Sequence, residues 1–312
     1  MGLAEGSPLG PPSSRVGHLR RLRSRRGGTI AVRMLGTRTR RIRQARSLAR
    51  PSLLARAAPP LCALAALAVL ERAFPRRVRA EPTGPRARRN LAFACLGVVT
   101  NLALNRLLVL PVARVSVQRR FGLLQWLRLP FAVETALGMA WLDYTLYLWH
   151  DLSHRVGVLW RLHVVHHADR DMDVTTGLRF HFAELAASLP LRALVVGAFG
   201  VSPRAVDLWQ SAIVVSSLFH HANLRLPARV ERWLSLVLVT PHMHEIHHSE
   251  SAADRNTNFS SGIALWDSLH GTRKDAPSEA VVIGLPASIQ GDASTLHAML
   301  VRPFAGAAST TK

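Results

Sequence analysis

Histidine residues dominate the chemistry that this chain could perform. It contains fifteen histidines among 312 residues, and thirteen of them lie between positions 150 and 270. Their spacing repeats, because an HxxxH motif begins at His150 and two HxxHH motifs begin at His163 and His244. Residues three or four apart lie on one face of a helix, about 5–6 Å apart at Cβ. Imidazoles with this spacing can converge on a metal ion.

The grouped histidines are too numerous for one metal ion. A structural zinc ion takes about four ligands and a catalytic one about three, so nine or ten imidazoles indicate two ions. Imidazole binds Fe, Zn, Cu and Ni, and the ligand type therefore leaves the metal open. The histidines adjoin apolar segments, which favours a redox metal that activates O₂ beside a hydrocarbon chain. A hydrolytic zinc pair would need no apolar substrate channel.

One polar stripe continues from the histidines into an apolar segment. Asp143, Tyr147, His150 and His154 follow one another at spacings of four, three and four residues, which places them on one helical face. We therefore expect Asp143 to accept a hydrogen bond from an imidazole N–H of the site.

Five apolar segments must position these histidines. Three of them reach the roughly 20 residues that a helix needs to cross a bilayer, and they are residues 52–74, 91–113 and 129–149. Two shorter segments, 185–201 and 204–219, are separated by a turn at Gly200–Pro203 and predict a hairpin that spans marginally or only dips in. Repeated apolar segments with basic flanks favour a membrane bundle over a large soluble helical core.

The charge is concentrated at the N-terminus. The net charge is +21, and residues 1–50 carry thirteen arginines against one acid, Glu5. This segment is interpreted as a disordered basic tail or as an overlong gene start, with Met34 as the alternative initiator. It lacks aromatic residues for stacking, so we expect no nucleic-acid partner. The two cysteines lie in apolar segments, and the absence of CxxC excludes a thiolate-rich zinc site.

At these residues the sequence resembles the fatty acid hydroxylase / sterol desaturase superfamily of membrane di-iron oxygenases, most closely its bacterial members. The resemblance runs from about Arg88 to Thr272. It rests on motifs that match in order and spacing: Asp143…Tyr147…His150-x-x-x-His154, Trp160-Arg161-x-His163-x-x-His166-His167, Thr176-Gly-Leu-Arg179-Phe-His181-x-x-Glu184, His221-Ala-Asn223, Thr240-Pro241-x-x-His244-x-x-His247-His248, Asn258-Phe259 and Trp266-Asp267…Gly271-Thr272.

The resemblance implies an all-α integral membrane helical bundle with a cytosolic helical cap that holds a histidine-rich di-metal site. It implies O₂-dependent hydroxylation or desaturation of a lipid by two Fe ions, which Zn can replace during purification. Electrons would come from a separate donor, a ferredoxin or a cytochrome b5-like protein with its reductase. The expected regions are a tail (1–50), membrane anchor helices (51–128), a catalytic domain (129–272) and a C-terminal tail without an assignable role (273–312).

The resemblance also implies roles for individual residues. The implied ligands are His150, His154, His163, His166, His167, His221, His244, His247 and His248, with His181 as a tenth ligand or a hydrogen-bonding neighbour. Glu184 and Asp143 are expected to orient imidazoles, and Asn223 and Asn258 to hold loop backbone near the site. His220 and His242 are expected to be neighbours that bind no metal.

The resemblance leaves the substrate open. Ser260, His270 and Glu245 depart from the usual family residues without removing a ligand, which weakens any transfer of substrate identity. Ether-lipid (alkylglycerol-type) monooxygenase and carotenoid hydroxylase are the enzymatic alternatives, and a membrane metal transporter or sensor is the non-enzymatic one. The arginine-rich loop 75–90 indicates an active site on the cytoplasmic side. The same orientation places the basic N-terminus outside, in conflict with that rule. The resemblance to bacterial members implies an inner-membrane protein.

Overall fold

The computed structural model describes residues 52–292 and 294–305, which are nearly all helical. Within these ranges, pairing between extended segments is limited to isolated bridges such as that between Leu238 and Ile263. The all-α fold class expected from the sequence is therefore confirmed. The expected basic tail, residues 1–50, and its alternative start at Met34 lie outside the described residues.

Residues 53–127 form the first group of helices. Helix α1 spans Leu53–Ala73, and the Ser52 hydroxyl caps it by accepting a hydrogen bond from the Ala55 N–H at 3.1 Å. Helix α2 then continues through a π-helical turn into α3, and a short α4 follows; their bounds are Thr83–Leu104, Asn105–Val109, Leu110–Arg119 and Leu123–Leu127.

Four further helices surround the histidines: α5 (Phe131–Arg155), α6 (Gly157–His167), α7 (Phe182–Phe199) and α8 (Pro203–His221), with a 3₁₀ turn at Thr176–Leu178. The expected turn between α7 and α8 is present. Gly200 has a φ of 76°, and a Cβ there would lie 2.7 Å from the Phe121 carbonyl oxygen, so this position requires glycine. Ser202 and Pro203 then begin α8.

Short helices complete the chain, and they are α9 (Ala228–Leu234), α10 (Pro241–His247), α11 (Ala252–Arg255), α12 (Leu265–His270), α13 (Ala287–Gln290) and α14 (Leu296–Val301). The C-terminal pair has a structural role that the sequence did not indicate. Leu285 and Met299 are buried against Val164 and Val165 of α6. The described part of residues 273–312 therefore supports a helix that carries histidines.

Three described segments are long and apolar enough to cross a membrane: Leu54–Ala73, Thr83–Leu127 and Phe182–Phe199. Membrane association follows from them. The first two contain the first two apolar segments of the sequence. The expectation that residues 129–149 form the third spanning segment needs correction. These residues form most of α5, which does not meet this criterion, whereas α7 does. Helix α5 carries the buried carboxylates Glu134 and Asp143, which lower its apolar character.

Helices α3, α5, α7 and α8 share one hydrophobic core. Its fully buried members include Val109, Leu110, Ala113, Leu142, Leu189, Val196, Val201, Ala205, Val206 and Trp209. This core packs α5 and α7 against the N-terminal half of α8. The C-terminal ends of α5 and α8 carry histidines.

Candidate metal centre

Nine histidines lie in two neighbouring groups, each of which is compact enough to hold a metal ion. In each group the candidate ligand nitrogens lie within 4.8 Å of one another. The five-histidine group contains His150, His154, His163, His167 and His247, and the four-histidine group contains His166, His221, His244 and His248. The structure therefore brings together all nine histidines that the resemblance implied as ligands.

Four helices deliver these side chains. His150 and His154 lie one turn apart at the end of α5, and His221 is the last residue of α8. Helix α6 serves both groups, because His163 and His167 are four residues apart and face one group while His166 faces the other. Helix α10 and the residue after it supply His244, His247 and His248.

Hydrogen bonds orient the imidazoles of the five-histidine group. The His150 Nδ1–H donates to the Phe259 carbonyl oxygen at 2.7 Å, and the His247 Nδ1–H donates to the Thr257 carbonyl oxygen at 2.7 Å. Both rings therefore expose an Nε2 lone pair, and each Nε2 is buried without a protein hydrogen-bond partner in the described chain. An imidazole fixed in this way by its other nitrogen is typical of a metal ligand.

The four-histidine group has converging Nε2 atoms. The His221 Nδ1–H donates to the Ser217 carbonyl oxygen at 2.7 Å, and the His221 Nε2 lies 3.0 Å from the Nε2 atoms of both His166 and His244. Two nitrogens bound at about 2.1 Å to one ion lie roughly 3.0–3.4 Å apart, depending on the angle. The observed separations therefore fit ligands of a common ion.

Burial keeps these imidazoles neutral. Desolvation lowers the pKa of His166, His167, His244 and His248 well below 6.5, and neighbouring histidines lower it further. A neutral imidazole has the lone pair that a metal ion requires.

The two carboxylates expected to orient imidazoles differ in what they contact. Glu184 Oε1 lies 2.8 Å from His163 Nδ1 and accepts its N–H, which directs His163 Nε2 toward the five-histidine group. Asp143 instead accepts hydrogen bonds from the Ile263 N–H at 2.9 Å and the Trp266 indole N–H at 2.8 Å. It holds the loop that precedes α12 and contacts no imidazole, which corrects the expectation from the helical stripe.

The two asparagines hold backbone. Asn223 accepts a hydrogen bond from the Arg77 N–H and donates to the Arg77 carbonyl oxygen, which joins the end of α8 to the loop after α1. Asn258 has a φ of 54° and donates to the carbonyl oxygens of Met243 and Lys274. It therefore shapes the loop whose carbonyls at Thr257 and Phe259 orient two histidines.

His181 does not join either group. Its Nδ1 accepts a hydrogen bond from the Ala183 N–H at 3.1 Å and caps α7, and its Nε2 lies 3.2 Å from the Leu300 carbonyl oxygen. Both nitrogens are thus used by the protein, which corrects the expectation of a tenth ligand. His242 contacts Arg76 and Asp275. His220 is buried with its ring 4.1 Å from that of His244 but belongs to neither group.

A buried ion-pair network behind the histidines was not expected from the sequence. Arg86, which is 1 % exposed, pairs with Asp169 and Asp173. Burial acts to raise the pKa of Asp169, but Arg86 and Arg179 outweigh burial, and the pKa is lowered. The signal was the acidic run Asp169-Arg-Asp171-Met-Asp173 directly after the first HxxHH motif. The network ties α2 to the loop after α6.

A cavity of about 200 Å³ opens beside the histidines. Its lining includes His150, His163 and His221 at one end. Its walls are mainly apolar side chains of α2, α5, α7 and α8, among them Ala94, Leu146, Leu185, Ile213 and Val214. An apolar cavity that reaches candidate metal ligands can hold a hydrocarbon chain against them.

The fold and the site define an all-helical, membrane-associated protein with a histidine-rich centre that could bind metal. Residues 135–272 match the fatty acid hydroxylase family. The resemblance identified in the sequence is thereby confirmed.

Curated relatives agree with the family. The chain is 31 % identical over 182 residues to ornithine lipid hydroxylase OlsE of Rhizobium tropici, covering 58 % of this chain and 52 % of that protein. It is 27 % identical over 143 residues to human alkylglycerol monooxygenase, covering 46 % and 31 % respectively. The matched region thus spans about half the length of the first relative and about a third of the second. No solved structure gave a significant match.

Proposed function

We propose that this chain is a membrane-bound di-iron oxygenase that hydroxylates a C–H bond of a lipid. The observation that carries the proposal is the convergence of two histidine groups with buried ligand nitrogens at the end of an apolar cavity. The hydroxylase and monooxygenase names of the relatives support the reaction class.

The residues fit two metal ions. The Nε2 atoms of His150, His154 and His247 are buried without hydrogen-bond partners in the described chain, which is costly unless a cation occupies the space between them. The five-histidine group would hold one ion and the four-histidine group the other. A bound iron pair supplies the reduction of O₂ and the abstraction of a hydrogen atom from an unreactive carbon.

The protein's own residues supply orientation and shelter. The Glu184 carboxylate keeps the His163 proton on Nδ1, and the Phe259 carbonyl does the same for His150, so both Nε2 lone pairs face the centre. The apolar walls at Leu146 and Ile213 hold the lipid chain and exclude water. Exclusion of water prevents side reactions that would consume the oxidant without oxidising the lipid.

The overall reaction consumes one O₂, two electrons and two protons, and converts a C–H group into C–OH with release of one water. The electrons come from a separate ferredoxin or a cytochrome b5-like protein with its reductase. Removal of a second hydrogen in place of hydroxyl transfer would give an alkene, so product analysis separates hydroxylation from desaturation. The arginine-rich segment 75–90 supports a location of the site on the cytoplasmic side, where such donors reside. The resemblance to bacterial proteins supports the inner membrane.

Ether-lipid oxidation is the second candidate, and the alkylglycerol monooxygenase relatives favour it. Hydroxylation of the carbon beside the ether oxygen gives a hemiacetal, which breaks down to an aldehyde and an alcohol. Incubation with an alkylglycerol would then release a fatty aldehyde, whereas hydroxylation elsewhere would leave the lipid intact and one oxygen atom heavier.

Metal analysis of anaerobically purified protein tests the proposal, because anaerobic handling limits replacement of iron by zinc. We expect about two iron ions per chain. His150→Ala removes a ligand of the five-histidine group and His166→Ala one of the four-histidine group, so each variant should lose about one ion and all lipid-dependent O₂ consumption. His297→Ala, at an exposed position, is the matched control and should keep both ions.

Two results would contradict the proposal. One is wild-type protein that binds no transition metal after iron supplementation during expression. The other is unchanged metal content in both ligand variants. Metal binding with metal flux across vesicles but without O₂ consumption would indicate a transporter instead.

A further inference from the structure

An arginine lies in the middle of a candidate membrane helix. Helix α7 is apolar enough to cross a bilayer, yet it contains Arg192 at its eleventh position. A charged side chain at bilayer depth is costly, and such residues generally line cavities and have functions. Arg192 does line the cavity that reaches the histidines.

The guanidinium of Arg192 has polar and aromatic neighbours but no carboxylate partner. Its carbon lies 5.0 Å from the Trp209 ring centre, and its Nη1 lies 3.4 Å from Asn101 Oδ1. No ion pair joins it to an acid in the described chain. Arg86, a buried arginine of α2, by contrast pairs with both Asp169 and Asp173. Arg192 therefore retains its capacity to bind an anion.

A chain of amides holds this end of the cavity in a fixed arrangement. The Gln210 amide donates to Asn105 Oδ1 at 2.7 Å, and the Asn105 amide donates to Asn101 Oδ1 at 2.8 Å. Asn101 Oδ1 thus faces the donor groups of both Asn105 and Arg192. Asn105 begins the π-helical turn, a feature that occurs often at functional sites. We name Asn101, Asn105, Arg192 and Gln210 the Arg192 cluster.

The helical rise of α7 between Glu184 and Arg192 gives an approximate distance between the histidines and the Arg192 cluster. Glu184, which contacts His163, precedes Arg192 by eight residues, or about 12 Å of helix. Side chains of a helix lean toward its N-terminus, which brings the guanidinium closer to the histidines. A single bond of about 1.5 Å advances a zigzag carbon chain by roughly 1.25 Å, so 12 Å corresponds to about ten bonds.

We infer that Arg192 binds the anionic group, a carboxylate or a phosphate, of an amphiphilic substrate whose chain extends along the cavity to the histidines. This inference rests on the proposed function and names its substrate class. It places the oxidised carbon on the order of ten bonds from the anion, and it disfavours neutral lipids such as sterols and carotenoids.

Binding to the metal-free protein tests this inference separately from oxidation. Trp149 and Trp209 line the cavity, so an amphiphile with a terminal bromine should quench tryptophan fluorescence on binding. The probes are 12-bromododecanoate, 12-bromododecyl phosphate and neutral 12-bromododecanol, added to full-length protein in maltoside micelles with a chelator. We expect at least one anion to bind about tenfold or more tightly than the alcohol.

Variants at Arg192 complete the test. Arg192→Gln should weaken binding of the anionic probe by about tenfold to a hundredfold and leave the affinity for the alcohol unchanged. The affinity of Arg192→Lys for the anionic probe should lie between those of the wild type and Arg192→Gln. Arg106→Gln, at an exposed position of the same membrane region, is the matched control. Because Arg192→Gln removes a charge from an apolar segment, its melting temperature should not fall, which shows that weak binding is not misfolding.

The inference is overturned if the alcohol binds as tightly as both anions, or if Arg192→Gln keeps the preference for the anion. The iron content of each preparation is measured before the chelator is added. Normal iron content together with either of these results would refute the substrate class alone, whereas wild-type protein that is isolated without metal would refute the proposed function.

Discussion

Substitution of Glu184 should weaken one metal site and leave the other intact. Glu184→Gln keeps the size of the side chain but removes the negative charge that receives the His163 Nδ1–H at 2.8 Å. Loss of such an outer partner typically costs tenfold to a hundredfold in metal affinity, or about 1.4–2.8 kcal/mol. This range agrees with the roughly 1.5–3 kcal/mol of a hydrogen bond to a charged group.

The four-histidine group provides an internal control, because none of its members contacts Glu184. Iron content would be followed while the protein is dialysed against increasing chelator concentrations. We expect the ion of the five-histidine group to dissociate at a chelator concentration tenfold to a hundredfold lower than in the wild type. The second ion should dissociate at the same chelator concentration as in the wild type. Glu279→Gln, at an exposed position, should reproduce the wild-type curve. Equal retention of both ions in Glu184→Gln would refute the reasoning.

Two packing substitutions make further predictions. A Cβ at Gly262 would overlap Asp143 Oδ1, so Gly262→Ala should lower the stability in detergent by about 1–3 kcal/mol; Gly84→Ala, which meets no atom within 4 Å, should leave the melting temperature unchanged. Leu285→Ala leaves a cavity behind α6 and should cost about 2–5 kcal/mol, whereas Leu296→Ala, at a position 39 % exposed, should cost much less. Equal melting temperatures within either pair would contradict the packing described for that position.

The nine clustered histidines could be predicted because local spacing indicated a metal site and the family resemblance supplied the set. Helical periodicity places His163 and His167 on one face, and motif order supplies the others. The division into groups of five and four could not be predicted, because it depends on how α8 and α10 approach α6. Only the folded chain shows that His166 and His167, adjacent in sequence, serve different groups.

Periodicity also explains the errors. It placed Asp143 on the stripe with His150, but it could not show that the Ile263 N–H and the Trp266 indole would cover that part of α5. His181 lies in a matching motif, yet its position at the N-terminus of α7 commits Nδ1 to the helix cap. The C-terminal segment has no strong pattern, so its packing on α6 is visible only in three dimensions.

The loop around Asn258 has a consequence for how this centre tolerates sequence change. Two candidate ligands from different helices, His150 and His247, are aligned by main-chain oxygens of the same short loop. Their orientation therefore depends on the path of this peptide, while the buried Phe259 ring packs against both imidazoles. Asn258 maintains that path, because it adopts a left-handed conformation that few residues adopt without cost. Asn258, whose side chain contacts neither His150 nor His247, thus controls the orientation of both imidazoles.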